Sequence, residues 1–85
     1  MTIARVLIVE DDASVREALA QTIELADLQP VTAGSYIEAK DHIVADFRGV
    51  VLTDIRMPGK DGFALLEHVQ KIDPELPVVL ISVRS

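Results

Sequence analysis

The chain has 85 residues, enough for one small domain, and its 49% hydrophobic content marks it as globular rather than disordered. A net charge of −6 argues against direct nucleic-acid binding, which needs clustered Lys and Arg, and favours a cation or another protein as partner. The sequence contains no Cys, which excludes disulfides, zinc thiolates and thiol chemistry.

Met1-Thr2-Ile3 leads straight into a strand pattern without a secretory signal, and no apolar run approaches the length of a membrane span, so a cytoplasmic location is expected. Ala4 to Val9 is apolar apart from Arg5 and predicts a strand buried on both faces. Ser14 to Ala26 follows with helical spacing, with Val15, Ala18, Leu19, Ile23 and Ala26 on one face and Asp12 or Ser14 as its cap. Pro30 to Ala33 predicts a short second strand. Ser35-Tyr36-Ile37-Glu38 is a capping-box pattern that opens a helix to about Ala45, with Ile37, Ala39, Ile43 and Val44 as its apolar positions.

Gly49 precedes a third strand, Val50 to Asp54. Pro58-Gly59 and Asp61-Gly62 are turn signals, and Met57 is read as a packing residue. A third helix is expected from Phe63 to Ile72, with Phe63, Leu66, Val69 and Ile72 as its core stripe, and Asp73-Pro74 stops it. Pro77 to Ser82 predicts a fourth strand, apolar on both faces. His42 and His68 fall on different helices without ligand-type neighbours, and both are read as exposed. The order β-α-β-α-β-α-β implies an α/β fold, a doubly wound parallel sheet with helices on both faces.

In such sheets ligands sit outside the carboxyl ends of the strands. Glu10-Asp11-Asp12, Asp54 and Ser82 all fall at those ends. Acids after a strand also commonly cap the next helix, so the first cluster alone would say little. Two acidic groups on one sheet edge, however, make a pocket suited to a hard divalent cation, and a carboxylate there can act as a nucleophile towards phosphorus. The expected Mg²⁺ ligands are Asp11, Asp54 and the backbone carbonyl of Arg56, with Glu10 direct or through a water. The Ser82 hydroxyl could donate to a phosphoryl oxygen.

The chain resembles the receiver domain of two-component response regulators. The matching pieces are Leu7-Ile8-Val9-Glu10-Asp11-Asp12, then Leu52-Thr53-Asp54 through Met57-Pro58-Gly59-Lys60-Asp61-Gly62, then Leu76 to Ser82. The run Val51 to Leu66 is most similar to receivers of sigma-54-dependent activators, including the dicarboxylate-transport branch. The resemblance implies a flavodoxin-like sheet of order 2-1-3-4-5. It implies phosphorylation of Asp54 by a sensor histidine kinase or a small phosphodonor with Mg²⁺, Glu10 and Asp11 as the acidic pair, Ser82 as the switch hydroxyl, and Pro58, Gly59 and Gly62 as the loop. An aspartyl-phosphate hydrolase would carry a second acid two residues after the nucleophile, where Arg56 stands, so a regulatory phosphoacceptor is expected rather than an enzyme.

Members of the family run to about 120 residues, within the ordinary domain range. Residues 1–85 are therefore expected to form a partial receiver. It would lack the fourth helix, the fifth strand with its phosphate-pairing Lys, and the fifth helix. Val83-Arg84-Ser85 does not resemble what should follow. Strand four would become an edge that pairs with another chain, giving a homo-oligomer or exchanged dimer. Phosphorylation is expected to be slowed, and a self-associating fragment with a non-functional acidic pocket is the alternative reading.

Overall fold

The computed structural model describes residues 4–44 and 47–82. Four strands, β1 (Arg5–Val9), β2 (Gln29–Ala33), β3 (Gly49–Asp54) and β4 (Val78–Ile81), alternate with three helices, α1 (Ala13–Leu25), α2 (Tyr36–His42) and α3 (Gly62–Ile72). The strands form one parallel sheet of order β2-β1-β3-β4. From β1 the chain moves outward to β2, then crosses back over β1 to β3. Because parallel crossovers are right-handed, this reversal sends α1 to one face of the sheet and α2 and α3 to the other. The point of reversal lies between β1 and β3, where their carboxyl ends leave a crevice.

The interior lies mainly under α2 and α3. Alternate residues Leu7 and Val9 of β1 and Val51 of β3 meet Ala39, Ile43, Leu65 and Val69 there, with Phe47, Met57 and Leu76 closing the edges. Each such fully buried aliphatic side chain contributes roughly 1.5–3 kcal/mol by leaving water. Val6 to Val9 are all buried, as the unbroken apolar run of β1 predicts.

Local capping follows the sequence closely. Asp12 is the N-cap of α1, its carboxylate accepting from the Ser14 and Val15 N–H groups at 2.9 and 3.2 Å. The Ser35 hydroxyl accepts from Glu38 N–H at 3.2 Å, while the Glu38 carboxylate reaches Gly34 N–H at 3.3 Å, one residue earlier than a reciprocal box would have it. Asp61 caps α3 through Ala64 N–H at 3.0 Å. At its C-terminus α1 closes in a Schellman turn. Leu28 N–H donates to Ile23 O and Asp27 N–H to Glu24 O, with Asp27 at φ 62 in the position usually given to Gly.

Several apolar assignments are corrected. The buried stripe of α3 is Gly62, Leu65 and Val69, whereas Phe63 is 56% exposed and Leu66 half-buried. The helix starts on Gly62, and its packing against β3 rotates the core face by one position. On α2, Ala39 is buried, and Ile43 is buried just past the helix end, but Ile37 and Val44 are exposed; a short helix presents only one narrow line to the sheet. The face expected for α1 is only half-buried at Val15, Leu19 and Ile23, and Ala18 and Ala26 are exposed, since no second helix among the described residues flanks α1. His68 is half-buried, not exposed, because it stands edge-on to Tyr36. The assignments of Met1-Thr2-Ile3, of Ala45 as the end of α2 and of Val83-Arg84-Ser85 lie outside the described residues. Among the described residues β4 pairs with β3 alone, and Val79 on it is 46% exposed. No described helix is long and apolar enough to cross a membrane.

Candidate phosphoryl-acceptor and cation site

β1 and β3 run side by side in register, with Val9 opposite Thr53. The residues that follow them therefore emerge together at the crevice. Glu10, Asp11 and Asp54 each present a carboxylate oxygen, all within 4.8 Å of one another. Glu10 and Asp54 are buried, and Asp11 is exposed at the rim. The cluster thus has a sheltered floor and one open side.

Glu10 is held from both directions. Its Oε2 accepts from Asp12 N–H at 3.0 Å, and its backbone carbonyl accepts from Arg16 Nη1 at 2.8 Å. Its other oxygen, Oε1, is buried and has no hydrogen-bond partner among the described residues. Burial raises the Glu10 pKa from 4.5 to about 7; the neighbouring Asp11 and Asp54 carboxyls push the same way, and the Asp12 N–H offsets only part. Asp12, one residue beyond the cluster, is instead held below the ordinary range by the hydrogen bonds from Val15 and Ser14 N–H and by the Ser14 hydroxyl. The run Glu10-Asp11-Asp12 therefore divides: Asp12 caps the helix, and the other two acids face Asp54.

Asp54 ends β3. Its Oδ1 accepts from Arg56 N–H at 3.3 Å, and its carbonyl accepts from the buried Thr53 hydroxyl at 3.0 Å. The loop that follows is pinned by Gly62, whose N–H donates to Ile55 O at 2.9 Å. A Cβ on Gly62 would lie 2.5 Å from Asp54 O and 3.0 Å from Ile55 Cα, so only glycine permits this approach. Gly59 turns the loop at φ 78. Ile55, Arg56, Met57, Pro58, Gly59 and Asp61 line an open hollow of about 450 Å³. Ser82 follows β4 directly and is exposed; its neighbour Ile81 pairs with Asp54 and accepts from Ile55 N–H at 2.8 Å, which sets Ser82 at the same sheet edge.

An orphaned buried carboxylate oxygen beside two further carboxylates is a poor arrangement unless something positive joins it. Hard oxygen donors of this kind, open on one side to water, suit Mg²⁺. Sequence reasoning did not single out Arg16 or Thr53. The signal for Arg16 was its place in the first turn after the Asp12 cap, which turns its side chain back over the end of β1. Thr53 carried no signal beyond its position.

Residues 6–85 match the family described as response regulator receiver domain. The chain is 43% identical over 77 residues to the C4-dicarboxylate transport transcriptional regulatory protein DctD of Rhizobium meliloti, covering 91% of this chain and 17% of that protein. It is 40% identical over 78 residues to the DNA-binding transcriptional regulator NtrC of Klebsiella pneumoniae, covering 92% of this chain and 17% of the relative. The chain thus spans about a sixth of the length of these relatives. Among solved structures, it superposes with a TM-score of 0.90 at 25% identity on response regulator protein TrrA of Thermotoga maritima, determined in complex with Mg²⁺-BeF, over 98% of this chain and 72% of that one.

Proposed function

Because the chain belongs to the response regulator receiver domain family, we propose that it accepts a phosphoryl group on Asp54 from a phosphohistidine of a sensor histidine kinase. Asp11, Asp54 and the Arg56 carbonyl would hold Mg²⁺, with Glu10 joining directly or through a water. The observation that carries this reading is the convergence of Glu10, Asp11 and Asp54 within 4.8 Å, with one buried Glu10 oxygen left unpartnered. Mg²⁺, when bound, offsets the repulsion between carboxylate and phosphoryl donor and the charge on the equatorial oxygens.

The chain's own groups do the rest. The Arg56 N–H fixes one Asp54 oxygen and so orients the other. That oxygen attacks phosphorus, the bond from phosphorus to the donor's imidazole nitrogen breaks, and its electron pair stays on the nitrogen. The Ser82 hydroxyl, at the same edge, would donate to an oxygen of the transferred group. Gly62 holds the loop carrying Arg56, Pro58 and Gly59 against the end of β3. No acid stands two residues after Asp54, so the product persists as a signal rather than turning over. The domain would act in the cytoplasm without direct nucleic-acid contact.

A second reading rests on β4, which pairs only with β3 among the described residues and carries a half-exposed Val79. This edge would take a strand from another chain. Phosphoramidate, which contains the same phosphorus–nitrogen bond as phosphohistidine, separates the two. An Mg²⁺-dependent acyl phosphate detected by ³¹P NMR in the wild type and missing in Asp54→Asn supports acceptor function. Association without any acyl phosphate supports the second reading.

A further inference from the structure

The five arginines of this acidic chain are spread along it, but its lysines are not. All three of its lysines, Lys40, Lys60 and Lys71, converge on the face shared by α2 and α3. There burial, and then the fields of Lys40, Lys71 and Lys60, push the His68 pKa down. The Lys40 and Lys60 ammonium groups stand 5.7 and 5.2 Å from the centroid of the Tyr36 ring. His68 meets that ring edge-on, with centroids 6.0 Å apart. Tyr36, Ile37, Lys40, Pro58 and Lys60 line a largely apolar groove of about 380 Å³ at the carboxyl end of the sheet, and Ile37 beside it is 74% exposed. A groove with an apolar wall and two cations fits an acidic segment that also offers an aliphatic side chain.

The opposite end of the same molecule presents such a segment. α1 runs back against the strand direction and ends at the amino end of β2, in the turn Glu24-Leu25-Ala26-Asp27. Leu25 is 87% exposed, and Glu24 and Asp27 rim a second hollow beside it. The turn is fixed by its two Schellman hydrogen bonds, and Asp27 holds a left-handed φ of 62 that glycine would adopt more readily. An acid is thus kept at the corner against the backbone's preference.

We propose that the Tyr36–Lys40–Lys60 groove receives the Glu24–Asp27 corner of a second copy of this chain, stacked head to tail along the strand direction. Leu25 of one copy lies against Ile37, Tyr36 and Pro58 of the next, while Glu24 and Asp27 meet Lys40 and Lys60. The two surfaces differ, so the contact is heterologous and extends into open chains of molecules rather than closing at a dimer. A single corner in a single groove sits at the small end of interface sizes, so association is weak and rapidly reversible. It uses neither the acidic site nor the β4 edge.

Two charge-reversed proteins test this: Lys40→Glu with Lys60→Glu, which spoils the groove and keeps the corner, and Glu24→Lys with Asp27→Lys, which does the opposite. By sedimentation at low ionic strength, the wild type should grow in mass with concentration, and each variant alone should lose association by about tenfold or more. Mixed, the two variants should regain growth with concentration as alternating chains, because the native corner of one fits the native groove of the other and the two reversed surfaces are again opposite in charge. A wild type that stays monomeric, association untouched by both variants, or variants that ignore each other would overturn the proposal. Dilution of ¹⁵N-labelled wild type gives an independent reading without mutation. Amide shifts should move together around Leu25–Asp27 and Ile37–Lys60, and shifts confined to β4 would contradict it.

Discussion

Glu10 is a carboxylic acid held where a carboxylate is expensive. Below pH about 4.5 both folded and unfolded chains keep its proton, and above about 7 both have lost it. Between these values the folded state holds more proton than the unfolded one, so this residue's contribution to stability falls as pH rises. Without divalent cation, Glu10→Gln should therefore be more stable than the wild type above about pH 7 by roughly 1–3 kcal/mol, the difference closing below about 4.5. Urea unfolding at the two ends of that window measures it, and an equal gain at both would refute the assignment. Gly62 is the second sensitive position. Alanine is the better helix former by about 1 kcal/mol, but its Cβ would press on Asp54 O at 2.5 Å. The clash is with backbone, which cannot rotate away, so Gly62→Ala should lower stability by about 1–3 kcal/mol or more. A rise in melting temperature would show that the loop is freer than its contacts indicate. Both roles were half visible in the sequence. Glu10 was placed among the acids, but its burial and orphaned oxygen depend on the return of β3. Gly62 read as a turn signal, whereas its need for glycine comes from a tertiary contact.

At the scale of the element, all three helices begin on a side chain that accepts from the first turn: Asp12, Ser35 and Asp61. The starts at Asp12 and Ser35 were legible because capping is local chemistry, whereas Asp61 read only as part of a turn signal. Asp12→Ala should lower the denaturation midpoint, because the Ser14 and Val15 N–H groups lose their acceptor. At the other end of α1, Asp27→Gly relieves a left-handed residue and should stabilise by a few tenths to about 1 kcal/mol; a loss would mean the Asp27 side chain contributes more than its backbone costs. What the sequence concealed was the rotation of helices about their axes. In α3, Phe63-Ala64-Leu65-Leu66 offers two adjoining apolar stripes, and spacing alone cannot choose between Phe63–Leu66 and Leu65–Val69. The close approach of Gly62 to β3 makes the choice. In α2, Ile37 and Val44 flank the narrow line through Ala39 and Ile43, and their exposure follows from the shortness of the helix.

At the scale of the whole molecule, the reversal of chain direction between β1 and β3 joins acids 44 positions apart in sequence, Glu10 and Asp54, into one cluster. This much was readable, because alternating strands and helices with two-sided apolar strands admit few topologies. The basic groove was not, since Lys40, Lys60 and Lys71 share no motif and meet only when α2 and α3 pack together. The acidic cluster destabilises the cation-free fold, so Mg²⁺ should raise stability by about 2.7 kcal/mol at a hundredfold excess over its dissociation constant. Asp11→Asn or Asp54→Asn should remove most of that increment; its survival in both would place the cation elsewhere. On the proposed function, these carboxylates assemble a phosphoryl acceptor at Asp54. Incubation with acetyl phosphate and Mg²⁺, followed by intact mass spectrometry, tests it most directly. A single added phosphoryl group is expected, absent in Asp54→Asn and absent when Mg²⁺ is chelated. A folded protein that binds Mg²⁺ yet takes up no phosphoryl group, or one still labelled in Asp54→Asn, would contradict it.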